Sequence, residues 1–289
     1  MEFITIGTGN AFTKKNWQSN FLIRQNNKCL LIDCGTYAWL PLNDEHGITT
    51  ADIDAVYISH EHADHIGGLE ELALTTYFNP TVNRPKLFCQ GQYEKDTDTG
   101  LLYTSGLVKE LWDHNLSGGL HCLEGKEATL CTYFDVCAVE SNGGFTWEGI
   151  KFDIVQTIHV ASKYKIEHSY GLMWNDPDTG ERIYLTTDTQ FCPVNAMKAY
   201  LKEADIVFHD CETSPYPSGV HAHYTELVTL SPEIKSKMWL YHYHDNVIDN
   251  WDEMNQKAIN DGFLGFIPTS TLFVRQYNAY DIGTVGKKG

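Results

Sequence analysis

The segment His60-Glu61-His62-Ala63-Asp64-His65 constrains this chain more than any other: three histidines and an aspartate, four potential ligands, fall within six residues. It follows the apolar run AVYIS and precedes GGLEELALTTYF, whose apolar residues recur at helical spacing. The motif is therefore read as a loop at the carboxyl end of a strand that leads into a helix, where α/β sheets place their chemistry. Two histidines at i and i+2 on an extended chain end can point to one ion, while Asp64 and His65 turn toward a second. Ions in such pairs lie about 3.5 to 4 Å apart, and one loop can serve both. A solvated polar turn would need the whole cluster to arise by chance.

Two ions need further ligands, and the chain offers them after apolar runs: His159 after FDIVQTI, Asp188 after RIYLTT and His242 after KMWLY. Each alone is more commonly a hydrogen-bonded structural residue; their joint position at strand ends favours ligation. His244 competes with His242, which lies nearer the end of the apolar run. Thirteen histidines suit such a centre, and 21 basic against 38 acidic residues leave a formal charge of −17. An acidic surface of that size repels polyphosphate, so a long nucleic acid is not the expected partner. No apolar run approaches the roughly 20 residues of a membrane helix. The opening MEFITIGTG has neither a basic region nor a small-residue cleavage site, so the expected location is the cytoplasm. The eight cysteines form no CxxC pair, which suits a reducing compartment and leaves no cysteine zinc site.

No repeat or linker divides residues 1–289, and one domain is expected. Strands are predicted at EFITIG, NFLIRQ, CLLID and AVYIS, with Asn-Asn as a hairpin turn between the second and third. FTWEGIKFDIVQTIHV reads as a hairpin around Glu148-Gly149, and SYGLMWNDPDTGERIYLTTDT as another around Asp-Pro-Asp-Thr-Gly. AMKAYLKEA is a helix, DIVFHD and KMWLYHYH are strands, and HYTELVTL starts a helix. Strands dominate both halves with helices after each set. Residues 93–142 fit no pattern and are read as an insertion or an oligomer contact. Gly7-Thr8-Gly9 lacks the third glycine of a dinucleotide fingerprint and reads as a tight turn beneath the metal site. Trp17, Tyr164, Tyr170, Trp174 and Tyr216 lie near these motifs and could stack on a base, although core packing is the commoner role.

The order HxHxDH, His, Asp, His, preceded by ITIGTGNAF and LLIDCG, resembles the metallo-β-lactamase-fold hydrolases, in particular their tRNase Z-like branch. The resemblance spans nearly the whole chain. It implies an α/β fold, a four-layer αββα sandwich of two mixed β-sheets flanked by helices. It also implies one ion on His60, His62 and His159, another on Asp64, His65 and His242, and Asp188 bridging them. The ions would be divalent, zinc or alternatively manganese, and Asp64 would also orient the nucleophile. A second resemblance lies in DIVFHDCET followed by GVHAHYTEL: this branch has a strand ending His-Glu and a later His-Ser-Thr helix start. Asp210 stands for the Glu and orients a histidine that protonates the leaving oxygen. His221 and His223 are both candidates for that histidine and for substrate binding, and the following Thr225 favours His223.

Within the fold, β-lactamases usually carry Cys for the bridging Asp and are exported, and thiolesterases of the glyoxalase type lack the second pair of motifs. A bacterial tRNase Z carries its tRNA-gripping arm between the fourth and fifth motifs. Here the 29-residue interval from His159 to Asp188 holds only a hairpin. With the charge, this favours a small anionic nucleotide as substrate. The sequence is similar to the phage and bacterial anti-Pycsar phosphodiesterases, which implies hydrolysis of 3′,5′-cyclic mononucleotides, no membrane, and a homodimer. The alternatives are tRNA 3′ processing and a non-enzymatic nucleotide-sequestering protein.

Overall fold

The strands nearest the site are nearly continuous apolar runs, and strands buried on both faces are composed in that way. A computed structural model describes residues 1–94, 102–192, 195–269, 271–276 and 279–284. In it β1 (Glu2–Gly7), β2 (Asn20–Gln25), β3 (Lys28–Ile32), β4 (Ala55–Ile58), β5 (Lys86–Gln90) and β6 (Asp135–Val139) belong to the first sheet. The second holds β7 (Gly144–Trp147), β8 (Ile150–Ala161), β9 (Ile166–Asn175), β10 (Arg182–Leu185), β11 (Ile206–Asp210), β12 (Met238–Tyr241) and β13 (Gly265–Phe266). The chain then returns to the first sheet as β14 (Thr271–Gln276) and β15 (Ala279–Thr284).

The orders are β6-β5-β4-β3-β2-β1-β14-β15 and β7-β8-β9-β10-β11-β12-β13. Both sheets are mixed: β3 to β6 run parallel beside antiparallel neighbours, and β10 to β13 run parallel beside the antiparallel β7 to β10. Ring pairs join the sheets face to face, Phe3 with Phe208 at 4.9 Å and Phe21 with Tyr241 at 5.1 Å. Side chains alternate across a strand. Thus Phe208, Trp239 and Tyr241 face this inner core, while Val207, Met238 and Leu240 join a second cluster with Leu201 and Ala258 of helices Asn195–Glu203 and Trp251–Asn260. On the first half, helix Leu69–Tyr77 buries Leu69, Leu72, Ala73 and Thr76, the i, i+3, i+4, i+7 stripe of an amphipathic helix. The layers are those of the αββα sandwich.

Two-residue turns form where expected: Asn26 and Asn27 have φ of 52° and 61°, and Glu148 and Gly149 of 47° and 82°, the left-handed pair of a hairpin turn. The stretch 93–142 is built into the body more than an insertion would be. It supplies β6 to the edge of the first sheet, and Leu107, Val108, Leu111, Leu120, Leu130 and Tyr133 to the core. Residues 95–101 of it lie outside the described residues. Among the described residues no helix is long and apolar enough to cross a membrane.

Candidate metal centre

Strand ends converge on one spot. The parallel strand β4 delivers Ser59 and His60, and the short helix Ala63–Ile66 that follows buries Asp64 and His65. The loop can lie so close to the chain after β3 because residue 35 is glycine: a Cβ there would stand 2.0 Å from the Asp64 carbonyl oxygen. In the other sheet β10 leads to Asp188, β11 ends in Asp210 and β12 leads to His242. His159 comes from within β8, where the register with β9 shifts between Ile158 and Val160. Such a bulge re-aims a side chain. Asp33, Thr187 and His242 take left-handed backbone (φ 61°, 53° and 63°), strain of a kind that clusters at functional sites. The Gly7-Thr8-Gly9 turn does lie beneath: the Thr8 carbonyl accepts from the His242 amide at 2.7 Å.

Three overlapping groups of candidate ligand atoms share Asp188, the two expected ones and a third of Asp188, Asp210, His221 and His242. His62 Nδ1 lies 3.1 Å from His60 Nε2 and 3.0 Å from His159 Nε2, and Asp188 Oδ2 lies 3.8 and 3.7 Å from the latter two. On its other side Asp188 Oδ2 is 3.3 Å from His65 Nε2 and 3.4 Å from His242 Nε2, with Asp64 Oδ2 3.2 Å from His65 Nε2. Within each group the candidate donors lie within 4.8 Å of one another.

A surrounding layer sets which nitrogen faces inward. His65 Nδ1 donates to Asp33 Oδ2 at 2.8 Å, His159 Nδ1 donates to the Val220 carbonyl at 3.1 Å, and His60 Nδ1 is paired with Ser59 Oγ at 3.0 Å. Each leaves its Nε2 to the centre, the arrangement that orients ligating imidazoles. Asp33 is held by the Ser59 amide and hydroxyl, both at 2.8 Å.

Burial holds His60 well below the usual imidazole range, with the His65 charge acting in the same sense, and lowers His159 to about 4. Both are thus neutral, as ligands must be. His65 behaves oppositely: burial would lower it, yet Asp188, Asp64 and Asp33 together push it up. Asp64 and Asp188, which burial would raise, are held far below the carboxylate range, Asp64 by His65 and Asp188 by His242 and His65. The carboxylates thus stay ionised and seek positive charge. His65 Nε2, His242 Nε2 and Asp188 Oδ1 are buried without a hydrogen-bond partner, and buried polar atoms rarely remain so. Imidazole and carboxylate donors of this kind fit divalent zinc or manganese.

The sequence left the proton-donor place open between His221 and His223, with Thr225 favouring His223, and the structure gives the two residues different partners. His223 caps the helix Tyr224–Leu227: its Nδ1 accepts from the Thr225 amide and hydroxyl at 3.3 and 2.8 Å, and its Nε2 donates to the Ser214 carbonyl at 2.9 Å. Both ring nitrogens are engaged away from the candidate ligands. His221 stands there instead, its Nδ1 2.8 Å from Asp210 Oδ2 and its ring 4.5 Å from that of His242. Asp210 therefore orients His221, not His223. Burial lowers His221, but Asp210 outweighs it and raises the imidazole to about 9. His242 is in the cluster, whereas His244 begins the helix Asp245–Asp249 and faces an adjacent cavity.

Two cavities flank the centre. One, about 170 Å³, adjoins His60, His62 and His159 with Leu107, Ile166 and Tyr170; the other, about 200 Å³, adjoins His221 and His242 with Phe12 and Val220. Of the aromatic candidates, Tyr170 lines the first cavity and Trp174 is wholly in the core, while Tyr164 and Tyr216 are exposed. Sequence reasoning missed the orienting roles of Asp33 and the Val220 carbonyl. For Asp33 a signal existed, an acid closing an apolar strand run; for a carbonyl no side chain could give one.

A family model described as anti-Pycsar protein Apyc1 matches residues 1–273. The chain belongs to that family. The anti-Pycsar protein Apyc1 of Paenibacillus harenae is 34% identical over 248 residues, covering 86% of this chain and 91% of its own. The Apyc1 of Bacillus phage vB_BsuM-Goe3 is 34% identical over 258 residues, covering 84% and 88%. In fold, the metallo-β-lactamase fold protein YhfI from Bacillus subtilis superposes with a TM-score of 0.65 at 17% identity, over 94% of this chain and 97% of that one. The fold and family expected from the HxHxDH order and its downstream residues are thus the ones found.

Proposed function

We propose that this anti-Pycsar protein is a phosphodiesterase that hydrolyses 3′,5′-cyclic mononucleotides to nucleoside monophosphates and thereby disables cyclic-nucleotide antiviral signalling. The observation that carries the reading is the meeting of two ligand groups at Asp188 with an Asp210–His221 pair beside them. One divalent ion would be held by His60, His62 and His159, the other by Asp64, His65 and His242, and Asp188 would serve both. When bound, two such cations lower the pKa of an intervening water and take up charge on phosphoryl oxygens. Asp64 orients the attacking water. His221, held by Asp210, gives its proton to the departing ribose oxygen as the phosphorus–oxygen bond breaks, a general-acid role suited to imidazole.

Support for a small substrate comes from the His159–Asp188 interval, which the end of β8, β9 and β10 occupy, leaving a turn at 176–181 in place of an RNA-gripping arm. The protein acts in the cytoplasm, where such signals act, and as a homodimer; a strict monomer by light scattering would contradict the latter. The deciding assay follows cyclic AMP, GMP, CMP and UMP beside a precursor tRNA, with metal-loaded and chelator-treated wild type and with His62→Ala and Asp64→Ala. Metal-dependent monophosphate formation that both variants lose is expected. Cleavage of tRNA with intact cyclic nucleotides would overturn the reading.

A further inference from the structure

Phe12 is 82% exposed. Its backbone is nonetheless held on both sides. The Asn10 amide donates to the Tyr243 carbonyl at 3.1 Å, the Phe12 amide to Asn10 Oδ1 at 2.9 Å, and the Lys14 amide to Asp245 Oδ2 at 2.9 Å. The ring is therefore presented by an ordered turn, not left on a loose one. It lines the cavity of about 200 Å³ that also holds Ala11, Val220, His221, His242 and His244.

We infer that Phe12 is the platform on which the base of the cyclic nucleotide stacks. The inference rests on the functional reading above. If His221 protonates the leaving oxygen, that oxygen belongs to the ribose, so the nucleoside half of the substrate lies on the His221 side of the metal ligands. Of the two flanking cavities, only the one walled by Phe12 contains His221. Its remaining lining is mixed, Ala11 and Val220 beside the polar Asn10, Glu212 and Ser218; Phe12 is the aromatic hydrocarbon ring among them, and an aromatic face binds any base by stacking. An exposed ring on an ordered turn beside the proton donor has this as its physical use: the exposed face is covered when the nucleotide is bound.

The test compares wild type, Phe12→Ala, Phe12→Trp and, in the opposite cavity, Ile166→Ala. The substrates are cyclic AMP and the abasic methyl ribofuranoside 3,5-cyclic phosphate, and calorimetry measures binding of a cyclic AMP phosphorothioate. Phe12→Ala should raise KM for cyclic AMP and weaken phosphorothioate binding by about tenfold, within the range seen when stacking aromatics are truncated, at nearly constant kcat. Phe12→Trp should keep the wild-type KM, and the abasic ester should respond little to either change. An unchanged KM in Phe12→Ala, an equal loss for the abasic ester, or a larger effect at Ile166 overturns the stacking role while leaving the cyclic phosphodiesterase standing. A wild type that neither binds nor cleaves cyclic nucleotides overturns the functional reading and this inference with it.

Discussion

His221 and His223 lie two residues apart, and what separates them is the backbone between: Glu212 bridges to His223, and the Ala222 amide donates to the Thr189 carbonyl. Those bonds hold the segment between them, and the two side chains have different partners, Asp210 for His221 and the start of a helix for His223. His221→Ala should therefore lower kcat for cyclic nucleotides by about 10² to 10⁴-fold, the usual contribution of a positioned acid. The loss should be much smaller for bis(p-nitrophenyl) phosphate, whose leaving group needs no proton. Steady-state rates on both substrates, with metal content measured by mass spectrometry, check this; an equal loss on both would remove His221 from the proton-donor role. His223→Ala should leave turnover nearly intact and cost about 1 kcal/mol in urea unfolding, the value of a helix N-cap, with His223→Asn recovering most of it. Loss of turnover in a folded, metal-loaded His223→Ala would restore the reading that Thr225 suggested.

Among the elements, the legible ones were those whose local chemistry and tertiary setting agree. The Asn26-Asn27 and Glu148-Gly149 turns carry their own backbone preference, and the run AVYIS needed only its burial on both faces to be a strand. The seven candidate ligands could be picked out because they end or interrupt such runs, and the structure brings them together. Residues 93–142 were not, because their order depends on partners distant in sequence: β6 exists by pairing with β5, and Leu107 and Leu130 are core residues only once that sheet is present. The choice between His221 and His223 stayed open in the sequence for the same reason, since their partners, Asp210 for His221 and the helix start for His223, are set by the fold and not by the His-x-Thr spacing. Local chemistry also makes Glu148 improvable, since it holds φ of 47° where Asn is favoured. Glu148→Asn should raise stability by about 0.5 kcal/mol at unchanged m-value, because its turn conformation costs Asn less. A fall in the unfolding midpoint would mean that the Glu148 contact with Asn26 Nδ2, 3.4 Å long, contributes more than the backbone strain.

At the scale of the whole molecule the net charge of −17 opposes an anionic substrate, and the centre lies among the carboxylates of Asp33, Asp64, Asp188 and Asp210. Two divalent ions would offset charge only locally, while the remaining acidic surface acts at long range. Beyond about 8 Å at physiological ionic strength that repulsion is screened, so added salt weakens the barrier to approach more than it weakens the buried contacts that bind phosphate. The value of kcat/KM for cyclic AMP should consequently hold or rise, by about twofold, as a monovalent salt goes from low to physiological concentration. A protein that grips a polyanion by releasing its counterions behaves in the opposite way and loses orders of magnitude over a similar range. Measuring kcat/KM against salt at fixed metal concentration separates the two. A steep decline would reveal an attractive basic surface that the composition does not contain, and would return tRNA to consideration; a flat or rising profile is what a small nucleotide and an acidic enzyme require.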